Sequence, residues 1–344
     1  MTDNKVYVLA VLALVALGVG AFAVMQANAL NGKIAMQAGT ADAVDALAQR
    51  VSTLESQLLP QTAPAVLYFD SSDPFANDTV AAAIRLAPVL EKQGLSITLS
   101  DQAGNITALR ERGFKSLPSL FITTETVLEN PSLEQAMASQ SMVDGGYAID
   151  VFGLITSQKT MLGAECTRPN KTLLYEFADY QCDGCDRLYY EVNDALERLG
   201  DKVDYSFRHV PVAVRPQTRD AARSAVCAGQ QGVFEDYHAK LFANYANLSV
   251  ENLLVLAKDA GVSDIAEFTA CLDEIATDNA VERDLTEALL SYKLTSTPAF
   301  VVNCKYVFTT NDSDGIVDNV CKASGECIEA TPAPTPSGSN ATAG

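Results

Sequence analysis

The chain has 344 residues and a formal net charge of −19, from 43 acidic and 24 basic side chains. This length allows one large domain or two of ordinary size, each with its own hydrophobic core. Nucleic acid is excluded as a partner, because phosphate binding needs a basic surface and the sequence has no run rich in Lys and Arg.

The N-terminal segment predicts a transmembrane anchor. Residues 6–25 are twenty consecutive uncharged, mostly apolar residues, enough to cross a bilayer core of about 30 Å at about 1.5 Å per residue. Lys5 and the terminal amine precede this run, so residues 1–5 are expected to stay cytoplasmic and the bulk of the chain to be extracytoplasmic. A cleaved signal peptide is the alternative, since residues 27–29 (Ala-Asn-Ala) resemble a cleavage site.

Residues 34–60 are predicted to form a helical stalk that ends at Pro60. A coiled-coil seam with alternating spacings of three and four residues is formed by Val44, Leu47, Val51, Leu54 and Leu58. The stalk either forms a homodimer through residues 40–59 or acts as a spacer, because about two to three heptads are marginal for a stable coiled coil. Residues 329–344 are rich in Thr, Pro, Ser, Ala and Gly and are predicted to be disordered.

Residues 64–160 show strand and helix patterns in alternation, which predicts a parallel sheet with crossover helices. Apolar runs predict strands at 66–69, 95–99 and 119–122, and helical periodicity predicts helices at 80–93 and 106–112. Pro118 stands immediately before the last of these strands.

Residues 166–328 repeat this layout, with a helical insert at about 215–293. The predicted order is a strand at 172–178, a helix at 184–199, a strand at 203–208, the insert, and a last strand that follows Pro298. Aligning Phe69 with Phe177 places Pro74 opposite Cys182 and Asn77 opposite Cys185. The first copy is therefore predicted to share the scaffold without the redox cysteines.

The run Cys182-Asp183-Gly184-Cys185 lies between a predicted strand and a predicted helix. Two cysteines at this spacing favour a redox pair, because helix N–H groups and the helix dipole stabilise a thiolate on the first sulfur. The second sulfur can then resolve a mixed disulfide. Half of a zinc site is the alternative, but it needs a second ligand pair, and the histidines His209 and His238 are isolated. Neither a metal nor another cofactor is predicted.

Four landmarks in order resemble the DsbA-like thiol–disulfide oxidoreductases, which have a thioredoxin fold with an inserted helical subdomain. They are residues 176–185 (EFADYQCDGC), 207–211 (FRHVP), 225–234 (AVCAGQQGVF) and Thr297-Pro298, and the resemblance covers about residues 170–325. It implies that Cys182 exchanges disulfides, that Cys185 resolves them and that Pro298 is a cis proline. It also implies that Glu176 is a buried acid that shuttles protons to Cys185. A cis proline would leave the Thr297 backbone free to pair with an extended substrate.

The residues between the two cysteines predict a weaker oxidant than is usual in that family. A carboxylate at Asp183 disfavours a thiolate on Cys182. A less stable thiolate makes the disulfide less oxidising, which favours an isomerase or reductase over a strong oxidase.

The other six cysteines are candidates for structural disulfides, which persist in an oxidising exterior. The predicted pairs are Cys227 with Cys271, Cys304 with Cys321, and Cys166 with Cys327. Two buried thiols are the alternative for the first pair, and the last two pairs are the first choice among three possible pairings.

The sequence as a whole predicts an α/β protein with two thioredoxin-like domains after a transmembrane helix. The expected function is a membrane-anchored, extracytoplasmic oxidase or isomerase of exported proteins that carry thiols or disulfides. A quinone-linked oxidase or an electron carrier in the membrane is the expected redox partner. The alternatives are a reductase fed by a membrane electron carrier, and a non-catalytic binding module with a structural Cys182–Cys185 bridge. By analogy, the first domain is expected to bind substrate or to hold the active domain at a set distance.

Overall fold

The structure, a computed structural model, describes residues 63–92, 94–211 and 215–325. The chain divides into two compact units, with the boundary between Gly163 and Ala164. The predicted cytoplasmic N-terminus, transmembrane anchor, stalk and disordered tail lie outside the described residues. Among the helices that are described, none is long and apolar enough to span a bilayer.

The first unit alternates strands with helices. Its strands are β1 (Ala63–Phe69), β2 (Leu95–Asp101), β3 (Ser116–Leu117), β4 (Ser119–Thr123), β5 (Ser141–Val143), β6 (Gly146–Asp150) and β7 (Gln158–Met161). Its helices are α1 (Ala76–Lys92), α2 (Ile106–Glu111), α3 (Thr124–Glu129) and α4 (Pro131–Met137). Five of the strands form a sheet in the order β2-β1-β4-β6-β5, and β3 pairs with β7.

Strand direction in the first unit differs in part from the parallel sheet that the sequence predicted. β1 and β2 are parallel, as the crossover through α1 requires. The pairs β1–β4, β4–β6 and β5–β6 are antiparallel. β5 and β6 are joined by a short turn, which can connect only antiparallel neighbours.

The second unit contains a four-stranded sheet and seven helices in its described residues. Its strands are β8 (Thr172–Ala178), β9 (Val203–His209), β10 (Ala299–Val302) and β11 (Tyr306–Phe308). Its helices are α5 (Asp183–Leu199), α6 (Thr218–Gln230), α7 (Phe234–Ala243), α8 (Val250–Asp259), α9 (Ile265–Leu272), α10 (Ile275–Thr286) and α11 (Ser313–Ser324). A 3₁₀ turn at Gly200–Lys202 follows α5, and a π-helical turn at Glu287–Ser291 follows α10.

Both units contain the same sheet motif. In the second unit the order is β9-β8-β10-β11, with β8 and β9 parallel and the other pairs antiparallel. The strands β2-β1-β4-β6 have the same order and directions in the first unit. A cis proline precedes the third strand of each motif, Pro118 before β4 and Pro298 before β10. The mixed α/β class that the sequence predicted is therefore observed.

Helices α6 to α10 form the insert between β9 and β10, and they share a core with the ends of β8 and β9 and the start of α5. The fully buried members of this core include Ala221, Ala225, Leu241, Leu253 and Phe268. A disulfide between Cys227 on α6 and Cys271 on α9, the pair that the sequence analysis proposed, closes a loop with a sequence separation of 44. In the chain-entropy account, such a loop contributes about 4 kcal/mol to stability.

The predicted pairs Cys304–Cys321 and Cys166–Cys327 are wrong. Cys304 is bonded to Cys166, with a Cα–Cα distance of 5.3 Å. The backbone explains this choice, because the N–H of Cys166 donates to the carbonyl of Asn303 at 2.9 Å and so brings Cys166 to the β10–β11 turn. Cys321 lies on the buried face of α11, and Cys327 is outside the described residues.

Candidate active site

Cys182 occupies the N-cap position of α5, with φ −85° and ψ 120°. The loop that leads to it from β8 is held by Asp179, whose backbone carbonyl accepts from the N–H of Cys182 at 3.1 Å. The Asp179 carboxylate also accepts from the N–H of Gln181 at 2.8 Å and from the hydroxyl of Thr218. The end of the strand therefore fixes Cys182 at the start of the helix.

The surroundings of Cys182 favour its thiolate. Its Sγ accepts a hydrogen bond from the N–H of Cys185 at 3.4 Å. The pKa of Cys182 is lowered to about 6, chiefly by its hydrogen bond with the Cys185 side chain, while burial acts in the opposite direction. At pH 7 most of the Cys182 side chain is therefore ionised.

The expected effect of Asp183 does not determine this pKa, since the net shift for Cys182 is downward. The Asp183 side chain is 64% exposed, and its carboxylate lies 3.4 Å from Nη1 of Arg215. Water and the guanidinium therefore screen its charge, and the hydrogen bonds to Cys182 outweigh it.

Cys185 differs from Cys182 in its environment. It is fully buried, and its pKa is raised by burial and then by its hydrogen bond with Cys182 and the charge of that residue. The pair is therefore asymmetric, because Cys182 carries the negative charge while Cys185 keeps its proton.

The cis-proline loop lies directly against the cysteine pair. In its thiol form, Cys182 donates through Sγ to the carbonyl oxygen of Thr297 at 3.5 Å. A Cβ added at Gly184 would lie 3.3 Å from Cδ of Pro298 and 3.7 Å from Sγ of Cys182. Glycine at position 184 thus permits the close approach of the two loops. The structure brings together Cys182, Cys185, Thr297 and Pro298, as the sequence analysis expected.

Glu176 lies on β8 and is buried, with 2% of its surface exposed. The hydroxyl of Tyr205 on β9 donates to Oε2 of Glu176 at 2.5 Å. Burial raises the pKa of Glu176 to about 7, and the hydrogen bond from Tyr205 opposes this shift. Glu176 can therefore take up and release a proton near neutral pH, and its role in proton transfer to Cys185 stays a prediction.

The two histidines lie in a buried aromatic cluster of the second unit. Nδ1 of His238 is 2.9 Å from the hydroxyl of Tyr180, and the His238 ring centroid is 4.6 Å from that of Phe207. Burial lowers the pKa of both His209 and His238 to about 3, so both are neutral at pH 7. In the part of the chain that the structure describes, no group of three His, Cys, Asp or Glu side chains could hold a metal ion.

Three residues that shape this site were not among the site residues predicted from the sequence, namely Asp179, Tyr205 and Arg215. A signal exists for Tyr205, since alternate residues of a strand share one face and β9 lies next to β8 in parallel register. Arg215 carries no local signal, because it meets Asp183 only through the fold.

One comparison with known proteins concerns the second unit. Residues 162–319 match the model of a protein family described as thioredoxin. The match covers the sheet motif and the helical insert described above, and it supports a thioredoxin fold for the second unit.

Among curated relatives, the chain is similar to part of two sodium/proton antiporters. It is 33% identical over 129 residues to the Na(+)/H(+) antiporter NhaA of Herminiimonas arsenicoxydans, which is 38% of this chain and 20% of that protein. It is 32% identical over 136 residues to the Na(+)/H(+) antiporter NhaA 1 of Mycobacterium sp. (strain KMS), with 39% of this chain and 22% of that protein covered. The chain thus spans about a fifth of the length of these relatives.

Solved structures include similar oxidoreductases. A thioredoxin-like oxidoreductase from Silicibacter pomeroyi DSS-3 is 24% identical, with 46% of this chain and 89% of that chain covered and a TM-score of 0.41. DsbA of Pseudomonas aeruginosa is 20% identical, with 50% of this chain and 91% of that chain covered and a TM-score of 0.40.

Proposed function

We propose that this chain, whose second unit is a DsbA-like thioredoxin-fold domain, is a thiol–disulfide oxidoreductase with Cys182 and Cys185 as its redox pair. One observation carries this proposal. Sγ of Cys182 caps α5, accepts a hydrogen bond from the N–H of Cys185 and lies 3.5 Å from the carbonyl of Thr297. The helix start and the N–H of Cys185 stabilise a thiolate on Cys182, and the contact with Thr297 places that sulfur beside a backbone segment that an extended peptide can approach.

The exchange reaction follows from the asymmetry of the pair. In the oxidising direction, a substrate thiolate attacks Sγ of Cys182 in the Cys182–Cys185 disulfide, and Cys185 leaves and takes up a proton. A second substrate thiolate then attacks the mixed disulfide and releases Cys182 as a thiolate. The substrate loses two electrons and the cysteine pair gains them. The low pKa of Cys182 makes it a good leaving group in this second step.

The stability of this thiolate bears on the direction of electron flow. A Cys182 pKa of about 6 lies between values of about 7 for thioredoxin and about 3.5 for DsbA. It therefore supports an oxidase or isomerase more than the sequence alone did. A reductase fed by a membrane electron carrier is the second candidate. Equilibration of the pair with glutathione separates the two, with about −120 mV for an oxidase and about −270 mV for a reductase.

The cellular setting that we propose is the outer side of a membrane. The uncharged run at 6–25 supports an anchor there. The disulfides Cys166–Cys304 and Cys227–Cys271 are of a kind that persists in an oxidising compartment. Exported proteins with thiols or disulfides are the proposed substrates, and a quinone-linked oxidase or an electron carrier in the membrane is the proposed redox partner.

The proposal is tested with the full chain and a reduced, unfolded protein as substrate. We expect Cys182→Ser to reduce exchange to background, and Cys185→Ala to accumulate mixed disulfides on Cys182. Cys321→Ala, which removes a sulfur outside the redox pair, is the matched control and should keep its activity. If the Cys182–Cys185 bridge resists mild reductant and Cys185→Ala captures no partner, the pair is a structural bridge and the enzymatic proposal fails.

A further inference from the structure

The edge next to the cis proline of the first unit is occupied by the unit's own chain. β7 pairs antiparallel with β3, with Met161 opposite Ser116 and Thr160 opposite Leu117. The N–H of Leu162 continues this contact by donating to the carbonyl of Lys115 at 2.8 Å. The backbone that immediately precedes Pro118 therefore already has a strand partner.

The second unit differs at the equivalent place. Thr297 precedes Pro298, and none of its described strands pairs with Thr297. An exposed sheet edge binds an extended segment through backbone hydrogen bonds, and pockets for alternate side chains supply specificity. β7 makes these same two kinds of contact in the first unit.

Two neighbouring side chains of β7 are bound by the first unit. Lys159 is 1% exposed, and its Nζ lies 2.6 Å from Oδ2 of Asp150 and 4.8 Å from the ring centroid of Phe152. The hydroxyl of Thr160 donates to the carboxylate of Asp73. Successive side chains of a strand point to opposite faces, so both faces of β7 are held. A buried ammonium needs such a partner, which makes this contact specific for a basic residue.

Little space remains between β7, the cis proline and the start of α1. The cavity there is about 10 Å³, and its lining includes Asp73, Phe75, Pro118 and Lys159. This volume is room for about one water molecule. A second extended peptide cannot enter while β7 is in place.

We propose that residues 158–161 are an intramolecular strand ligand of the first unit. They fill the edge beside Pro118 and close it to substrate peptides. The edge fits an extended segment in which a basic residue is followed by a small hydroxyl residue. Of the two roles expected for the first domain, this excludes substrate binding at the cis-proline edge. The proposal is independent of the redox chemistry at Cys182.

The test uses the full chain with Cys182→Ser and a photoactivatable peptide that has the sequence of residues 156–163. Lys159→Glu releases β7, because it places a second carboxylate beside Asp150. Arg85→Glu makes the same charge change at an exposed position of α1 in the same unit and is the control. We expect cross-links to residues 115–118 to be at least tenfold more frequent in Lys159→Glu than in the parent or in Arg85→Glu.

Two results overturn the proposal. The first is cross-linking at residues 115–118 in the parent chain at the level of Lys159→Glu, since the edge would then be open. The second is the absence of these cross-links in Lys159→Glu when hydrogen exchange shows that β7 is released, since the edge would then not bind strands.

A second variant and a measurement on the unaltered chain keep the test valid if Lys159→Glu fails to fold. Thr160→Val removes the hydroxyl contact with Asp73 at nearly constant volume, and we expect a smaller increase in cross-links to the edge. In the unaltered chain, the Leu162 amide should be protected from hydrogen exchange as strongly as the amides between β4 and β6. Exchange at the rate of an exposed turn would contradict a permanently bound β7.

Discussion

The two units contain the same sheet motif but differ in the residue that precedes the first helix of the motif. Phe75 directly precedes α1 and is buried, whereas Cys182 directly precedes α5. The sequence alignment placed Pro74 opposite Cys182, one residue before the position that the helix start indicates. The helix start and the cis proline are common to both units, so the scaffold by itself does not create a redox site. We attribute the proposed redox site of the second unit to the sulfur at the helix start and to a cis-proline edge that pairs with none of the described strands of that unit.

The two helix starts also satisfy their N–H groups differently. In the first unit, Oδ1 of Asp73 accepts from the N–H of Phe75 at 2.8 Å. In the second unit, Sγ of Cys182 accepts from the N–H of Cys185. Both arrangements place a group able to carry negative charge where the helix dipole favours it. The carboxylate of Asp73 is chemically inert there, while the thiolate of Cys182 is a nucleophile.

The largest effect that we predict breaks the occupied edge of the first unit. Asp150→Ala leaves the Lys159 ammonium buried without its carboxylate, and we expect a loss of about 3–4 kcal/mol in the unfolding free energy. Urea denaturation of the full chain, followed by hydrogen exchange in β6 and β7, measures this loss. Asp144→Ala at an exposed turn is the control, and equal losses in the two variants would contradict the role of the ion pair.

The next prediction concerns Glu176. In the alignment of the two units, the first unit has Tyr68 at this position. The pKa of Glu176 rises from 4.5 to about 7 on folding, so the folded state holds its proton more tightly and stability falls as pH rises through this window. Glu176→Gln removes this penalty. We expect the variant to be more stable than the parent by up to about 3 kcal/mol at pH 8, with no gain at pH 4. Denaturation at both pH values measures the difference, and equal gains would show that the carboxyl does not titrate as described.

The third prediction concerns the pKa of Cys182, for which we expect a smaller effect. The absorbance of the reduced pair should report a Cys182 pKa of about 6. In Cys185→Ala the hydrogen bond from the second thiol is lost, so the pKa should rise by about one unit or more, which corresponds to about 1.4 kcal/mol. Thiolate absorbance between pH 4 and pH 10 checks this. An unchanged pKa would assign the stabilisation to the helix alone.

The smallest effect concerns the dipeptide between the cysteines. Asp183 is largely exposed and lies near Arg215, so Asp183→Asn should change the pKa of Cys182 by less than about half a unit. The same absorbance titration measures it. A fall of a full unit would restore the stronger influence that the sequence suggested for Asp183.

Much of the local structure could be predicted from the sequence. The strand predicted at 172–178 is β8, and the helix predicted at 184–199 is α5 with one more residue at its start. Hydrophobic periodicity and a glycine at the C-terminal end of a helix are local properties of the sequence, so these elements could be predicted. β7 escaped prediction because its sequence, Gln-Lys-Thr-Met, is short and polar, and the carboxylates of Asp150 and Asp73, which help to make its burial favourable, lie far from it in the sequence or carry no strand signal.

The sequence by itself determined the main helices and strands that the two units share, a cysteine pair at a helix start, and a proline before a strand in each unit, of which only Pro298 was expected to be cis. Only the tertiary structure decided that Cys304 bonds to Cys166, 138 residues away, and that Tyr205 reaches Glu176. The tertiary structure also decided that β7 pairs with β3 and so fills the edge beside Pro118 in the first unit. The physical reason is range, because periodicity and capping act over a few residues, whereas disulfides, buried ion pairs and strand registers depend on distances that folding sets between remote parts of the chain.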